Sequence, residues 1–443
     1  MKVVQTFWSG GKDLLKENFG WTDPQFHLMS WALSCLSLRE NYDEVVMYTD
    51  SVGYKIFSEI LELPYTDVIV QYDNLACLEA HWAYPKLLTY SLQNKPFIHV
   101  DGDVYLPRRL RPEIEAGALI AQNKEIGTSY YKGMMDFIKS RGLIIPGYLE
   151  RELDKDSILS YNAGVLGGND IEFIQKYCRA AFELIQTNHL NDSDNKNTNV
   201  NHNILFEQIL FYALAADSDK EVTTVLEQSV NDNGYSYQDF CDFYLYDKKM
   251  LIHLIGGHKR TPKIYELLAL TLLRKYPDYY QKIIKLFPQK NIRFSDVENK
   301  YFLKDLPNDD LLHLERNLCN YFEFLNIPDH ARLQTKIRRN PHLYLYEKKG
   351  SLPDGSRPIK TDIARVPCLM NKGTKEVYID DLCYNILILL ESEKTFERLV
   401  DELKQSFGSK LNKDWDKTYA LILKCMEYLF INKLIYTDKI NTI

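Results

Sequence analysis

The stretch Phe97-Ile98-His99-Val100-Asp101-Gly102-Asp103-Val104 constrains this chain more than any other. Four mostly apolar residues end abruptly in two carboxylates separated by one glycine. A strand buried inside a sheet is apolar along its length, and charge belongs where it leaves the core. The pattern predicts a buried strand with Asp101 and Asp103 at its C-terminal end and Gly102 letting the backbone turn. Two hard oxygen ligands at such a place suit Mg2+ or Mn2+, and an ion of that kind can hold a diphosphate. A D-x-D triplet alone reads at least as readily as a solvated turn, so the rest of the chain has to decide.

Before that stretch, short apolar runs alternate with helical patterns. Val3 to Thr6 and Glu44 to Asp50 read as strands, and a third lies near Asp67 to Val70. Between them, residues 25–39 carry Phe26, Met29, Leu33 and Leu36 at helical spacing, and a second helix is expected near 52–62. Pro85 suits the first turn of a helix that continues through Lys86 to Leu92. Strands alternating with helices predict a largely parallel α/β sheet, whose ligands sit beyond the C-terminal strand ends. Thr6-Phe7-Trp8, Thr49-Asp50 and Asp101-Gly102-Asp103 would share that edge.

Residues 107–156 read as irregular, and Ser160 to Gly168 as a short strand with small residues where something approaches closely. A helix is expected over 170–186, a mobile Asn- and Asp-rich loop over 187–203, and a helix with Glu207 and Gln208 over 204–215. Segments 222–228 and 235–246 read as strand or turn. The run Leu251 to Ile255 ends in Gly256-Gly257-His258-Lys259-Arg260, and a helical segment follows over 262–286. Residues 287–350 read as charged helices with loops, and 350–358 as a boundary. Beyond it, a hairpin (Ala364 to Met370 with Glu376 to Ile379), helices at 381–391, 396–407 and 419–431, and a final strand are expected. Together they resemble a small winged-helix unit. The domains expected are 1–275, a helical connector over 276–358, and 359–443.

Composition narrows the function. A net charge of -7 argues against sequence-independent nucleic-acid binding. The eight cysteines include no C-x-x-C pair, so neither a zinc ribbon nor a disulfide framework is expected. The N-terminus lacks an apolar signal core, and no uncharged run is long enough to span a bilayer. A cytoplasmic protein is expected.

Three motifs now fall in order: Phe97 to Asp103, then Asn162-Ala163-Gly164-Val165, then His253-x-x-Gly256-x-x-Lys259. In order and rough spacing they resemble the D-x-D, N-A-G and H-x-x-G-x-x-K motifs of family-8-type, glycogenin-like glycosyltransferases of the GT-A fold. The resemblance covers roughly residues 1–270, and the stretches Val4 to Gly10 and Trp82 to Lys86 are similar to a bacterial group in that superfamily. It departs after Lys259, where Arg260-Thr261-Pro262 stands in place of Pro-Trp. The resemblance implies a GT-A domain, Rossmann-like with a mostly parallel sheet, and a UDP-sugar donor with Mn2+ or Mg2+. Asp101, Asp103 and His253 would hold the metal, and Lys259 would reach the diphosphate. Gly256 would permit close backbone approach. Thr6, Trp8, Tyr48 and Asp50 would shape the nucleoside pocket, and Lys86 could contact base or phosphate. Asn162 and Gly164 would lie against the donor sugar, with the Glu207-Gln208 pair facing the reacting centre.

The tail resembles a second family. Thr374 to Ile379, Leu387 to Glu391, Thr395 to Leu403, Cys425 to Leu429 and Lys433 to Ile435 are similar to PqqD-like winged helices, which bind leader segments of ribosomally made peptides. That implies transfer of a sugar to a precursor peptide whose leader adds a strand to residues 359–443. Transfer to a saccharide or lipid-linked glycan, and a non-catalytic binding protein of the same fold, stay open. So do the donor sugar and a homodimer; the H-x-x-G-x-x-K resemblance implies a hexosyltransferase and favours retention, which the Glu207-Gln208 pair alone does not establish. No nucleic-acid or membrane partner is expected.

Overall fold

A computed structural model of the chain describes residues 1–127, 131–192, 201–232, 234–287, 320–351, 358–368, 370, 373–407 and 415–437. Much of the expected Asn/Asp loop (193–200), of the charged stretch (288–319) and of the Gly/Pro boundary (352–357) lies outside the described residues. The chain forms two compact units, Met1–Thr261 and Pro262–Ile443. Among the described residues no helix is long and apolar enough to cross a membrane.

The first unit contains β1 (Lys2–Thr6), β2 (Val45–Thr49), β3 (Asp67–Val70), β4 (Phe97–Val100), β5 (Val104–Tyr105), β6 (Leu119–Ala121), β7 (Lys124–Gly127), β8 (Ile158–Tyr161), β9 (Val165–Gly168), β10 (Val222–Thr224), β11 (Val230–Asn231) and β12 (Ile252–His253). Seven of them form one sheet in the order β10-β6-β9-β4-β1-β2-β3. The sheet is mostly parallel: β1 pairs parallel with β2 and β4, β2 with β3, and β6 with β10. Only β9 runs against its neighbours β4 and β6. β4 is buried at every residue, as its unbroken apolar run requires in a sheet covered on both faces.

Helix α1 (Pro24–Asn41) is buried from Pro24 to Leu38, so the apolar periodicity of 25–39 understates how enclosed it is. Its hydroxyls compensate by bonding the main chain next to β4. Ser30 donates to the Gly102 carbonyl (2.8 Å) and Ser34 to the Val104 carbonyl (2.7 Å). This helix therefore fixes the path of the chain just past Asp101. Helix α2 (Tyr84–Ser91) has Pro85 in its first turn, as expected, followed by Lys86. Helix α3 (Ile171–Thr187) is capped by Asp170, whose carboxylate accepts from the Phe173 amide at 3.0 Å. A π-helical turn, Ile204–Ile209, precedes α4 (Leu210–Asp217). Wide turns of this kind recur at functional sites.

Two expectations are corrected. Residues 107–156 are not irregular: they hold β6, β7 and helices at Pro112–Glu115, Lys132–Arg141 and Gly147–Leu153. β6 is only three residues long, too short to show an alternation, yet it lies inside the main sheet. Residues 235–246 form helical turns, Tyr237–Phe240 and Phe243–Lys248, rather than strand.

The second unit opens with α5 (Pro262–Lys275) and α6 (Pro277–Lys285). The single helical segment expected over 262–286 is split because Pro277 has no amide to continue the first helix. Helices at Tyr321–Asn326 and Asp329–Gln334 follow. Then come β13 (Lys336–Arg339), β14 (Tyr344–Ser351), β15 (Pro358–Cys368), β16 (Gly373–Ile379), α7 (Asp381–Leu389), β17 (Lys394–Thr395), α8 (Phe396–Phe407), α9 (Trp415–Ile431) and β18 (Ile435–Thr437). Strands β14-β15-β16 and β17-β13-β18 form two antiparallel sheets. The hairpin and three helices of the tail are present. β13 and β14 replace the helices expected over 336–351, and β14 pairs along β15 from Tyr344 onward.

A buried charge cluster sits inside this unit. Glu266 of α5 pairs with Lys375 of β16, and Lys433 lies 3.7 Å away; Glu266 and Lys433 are buried and Lys375 nearly so. Lys433 adopts φ 62° immediately after α9, the left-handed position where glycine commonly ends a helix.

Candidate functional site

Because β1, β2 and β4 are parallel and in register, their C-terminal ends meet at one edge. Asp101 is tied there by its amide, which donates to the Gly164 carbonyl at 2.9 Å. Its carboxylate faces Lys86, 2.9 Å away, and the same ammonium lies 2.7 Å from Glu207. Lys86 also donates to the Ala163 carbonyl at 3.3 Å. The π-helical turn aims Glu207 inward, where it is fully buried. Tyr90 donates to its Oε1 (3.3 Å) and Tyr177 to its backbone carbonyl (2.7 Å), while Oε2 has no hydrogen-bond partner. Gln208 is half-buried at the next position.

Burial raises both of these carboxyls above the ordinary carboxylate range. Asp101 is pushed up to about 7, first by desolvation and then by the charges of Asp103 and Glu207, against the pull of Lys86. Glu207 is raised for the same first reason. Burial works against the Lys86 ammonium, but Asp101 and Glu207 outweigh it and keep it charged.

Asp103 is held differently. The antiparallel pair β5–β12 places His253 opposite Val104, and the Leu254 amide donates to the Asp103 carbonyl at 3.0 Å. Lys259 forms an ion pair with one Asp103 oxygen, and His253 Nε2 lies 3.7 Å from the other. Burial raises the Asp103 carboxyl, but the charge of Lys259 outweighs it and holds it below the ordinary value. Burial drops His253 to about 4, so the imidazole is neutral at pH 7. Its tautomer follows from its other partner. Gln122 donates its amide to Asn123 (3.0 Å) and turns its carbonyl to His253 Nδ1 (2.8 Å). Nδ1 therefore carries the proton, and Nε2 presents a bare lone pair towards Asp103. Two acceptors 3.7 Å apart have no bond to make with each other, and a cation satisfies both. Asp101, Asp103 and His253 do not close into one triad, since their ligand atoms are not all within 4.8 Å of one another.

Three expected glycines act for different reasons. Gly102 does not need a left-handed turn; a Cβ there would sit 2.3 Å from the Trp31 ring. Gly102→Ala is expected to cost about 1–3 kcal/mol, read as a lower urea midpoint, because the indole is buried and cannot retreat. Gly164 clears Gln122 Oε1 and the His253 ring, which a Cβ would meet at 2.4 and 2.8 Å. Gly256 has open space around it and is selected by its φ of +55°.

The residues expected around a nucleoside are largely occupied by the fold. Asp50 accepts from Ser9 N (2.7 Å) and Ser9 Oγ (2.6 Å) through one oxygen and from Gly53 N (2.9 Å) through the other. It shapes the loop through Trp8, which is half-buried against the core. Thr6 donates to Thr89 (2.6 Å) and touches His99 Nε2 (3.0 Å). Tyr48 is buried in the core. Asn162 is likewise engaged at both ends, accepting from Gly164 N (2.9 Å) and donating to Glu125 (2.9 Å) and Tyr235 (3.0 Å).

Behind Gly102, His27 accepts from Trp31 Nε1 at 2.9 Å, and burial, helped by the charge of Lys259, drops it to about 3. Its folded value lies below its ordinary 6.5, so the unfolded chain takes up the proton first. Its contribution is complete above 6.5 and is lost at about 1.4 kcal/mol per pH unit as the pH falls towards 3. H27Q, which keeps an acceptor for Trp31, should remove one histidine's share of that acid slope in urea melts.

A family model described as a family of unknown function, DUF6734, matches residues 1–286. The chain belongs to that family. No curated protein matches it. Among solved structures it is similar to the glycosyltransferase GlyE of Streptococcus pneumoniae TIGR4, at 10% identity and a TM-score of 0.32, over 64% of this chain and 63% of that one. It is also similar to mouse xyloside xylosyltransferase 1 in its apo form, at 11% identity and a TM-score of 0.29, over 57% of this chain and 96% of that one. The chain thus spans 63% of the length of GlyE.

This DUF6734 chain also uses residues that sequence reading missed. Gln122 sets the His253 tautomer, and Glu125 with Tyr235 braces Asn162. His99 lies with Nδ1 3.6 Å from Asp101. A signal for Gln122 existed: Leu119-Ile120-Ala121 ends in Gln122-Asn123, an apolar run ending in polar residues, as β4 ends in Asp101.

Proposed function

We propose that this chain is a glycosyltransferase that takes a sugar from a UDP-sugar bound across the C-terminal edge of the seven-stranded sheet. The observation that carries the reading is Asp103 placed between Lys259 and the bare Nε2 of His253, beside the Gly164 turn. Residues from three distant motifs meet there, and the site gathers three carboxyl groups (Asp101, Asp103 and Glu207) against two ammoniums (Lys86 and Lys259). That donor set fits a divalent cation held by Asp103 and His253 with Asp101 beside them. The imidazole favours Mn2+ over Mg2+. When bound, the ion supplies positive charge to the leaving diphosphate. Lys259 would bind the diphosphate and stabilise the charge that develops on it. Lys86 would hold Asp101 and Glu207 in place, and the unpartnered Glu207 Oε2 would offer an oxygen to an oxocarbenium-like centre.

The acceptor in this reading is a ribosomally made peptide whose leader docks on residues 359–443. Strand β16 pairs with β15 alone among the described residues and carries the exposed Tyr378, so a leader strand could add along its other edge once Tyr428 leaves the Tyr378 carbonyl.

The test incubates the full chain with a panel of UDP-sugars and MnCl2, follows UDP release, and searches by mass spectrometry for sugar on a short peptide encoded beside the gene. Mn2+-dependent UDP release with sugar on the peptide is the expected result. UDP release without peptide modification would redirect the acceptor to a saccharide. Binding of UDP-sugar with no turnover on any acceptor would make this a non-catalytic relative.

A further inference from the structure

We propose that Asp380, Cys383 and Cys425 form a second cation site, selective for Zn2+, within the C-terminal unit. Asp380 caps α7, its carboxylate accepting from the Cys383 amide at 2.7 Å. Cys383 follows in the first turn of α7, and Cys425 projects from the middle of α9. Each residue offers one ligand atom, and these atoms all lie within 4.8 Å of one another. Among the described residues this is the one such set of three. Both thiols are buried, while Asp380 is exposed.

A buried cysteine usually serves as a small apolar residue. Here two thiols from different helices converge with a carboxylate at one point, and packing alone asks for no such meeting. Two sulfur ligands and one oxygen exclude Mg2+ and Mn2+, which prefer oxygen, and match tetrahedral Zn2+. The exposed side at Asp380 leaves the fourth position to water. Binding would release the two thiol protons to solvent with no change of oxidation state. The bound ion would join the start of α7 to α9. One turn past Cys425, Tyr428 donates to the Tyr378 carbonyl of β16 (2.5 Å), so the ion would also brace the strand beside it.

The test uses the full chain, reduced and stripped of metal, with Co2+ as the probe and Zn2+ as the competitor. One equivalent of Co2+ should give a thiolate-to-cobalt charge-transfer band that Zn2+ abolishes. C383S and C425S should each lose the band, D380N should weaken Co2+ binding by about tenfold or more, and D103N should leave it intact. Absence of the band in the reduced wild-type chain overturns the proposal, and that reading needs no variant to fold. A band that survives in C383S/C425S, or one that disappears in D103N, overturns it as well. So does oxidation of the two thiols to a disulfide with no cobalt uptake from the reduced form.

Discussion

Asp103→Asn lowers Mn2+-dependent turnover of UDP-sugar by about three orders of magnitude, the scale of losing one electrostatic anchor in a closed site. Asparagine preserves the shape of the side chain. It also preserves the backbone bond from Leu254, so β5 and β12 stay paired. The charge is what disappears. Without it, His253 Nε2 and Lys259 share no anion, and a cation at that point has one hard ligand fewer. The loss should appear in kcat and in a raised Mn2+ requirement, while the melting temperature stays near wild type. Turnover within about threefold of wild type would sink the assignment of the site.

Lys86→Met produces the largest loss of stability, about 3–5 kcal/mol near pH 8, because it removes the cation held between the fully buried Glu207 and the half-buried Asp101. The sign of its pH dependence is set by those acids. Asp101 already lies at about 7 and Glu207 is raised even with the ammonium present, and both rise further without it. A carboxyl whose folded value exceeds its unfolded one stabilises the fold at low pH and loses that contribution as the pH rises through the folded value. The penalty in Lys86→Met should therefore shrink on acidification towards pH 5. Urea melts at the two pH values read it directly, and a penalty that does not change with pH would mean the two acids are not paired through Lys86.

Much of this was legible in the residues, for physical reasons that can be named. β4 showed itself because a strand covered on both faces has no polar residue until it ends, which placed Asp101 and Asp103 correctly at the edge. α2, α3 and the tail helices carried proline starts, caps or apolar stripes that local pattern records. What stayed hidden depends on contacts distant in sequence. Nothing local says that Gly102 clears Trp31 rather than turning the chain, because the indole comes from α1. Asp50 reads as a free acid until Ser9 and Gly53 are seen to consume both its oxygens. Lys86 reads as a phosphate contact until the fold places two carboxylates around it.

The ion cluster of Glu266, Lys375 and Lys433 bears on what can be separated from what. The family match runs to residue 286 and so includes α5, yet α5 packs with the second compact unit, and the ammonium partners of its buried carboxylate come from positions 375 and 433. A fragment ending at 286 would keep the acid and discard both bases, leaving a charged, apolar helix without its interior. Inheritance and folding draw different borders across this chain. The stretch shared by the family includes a helix, α5, that depends on residues lying beyond it.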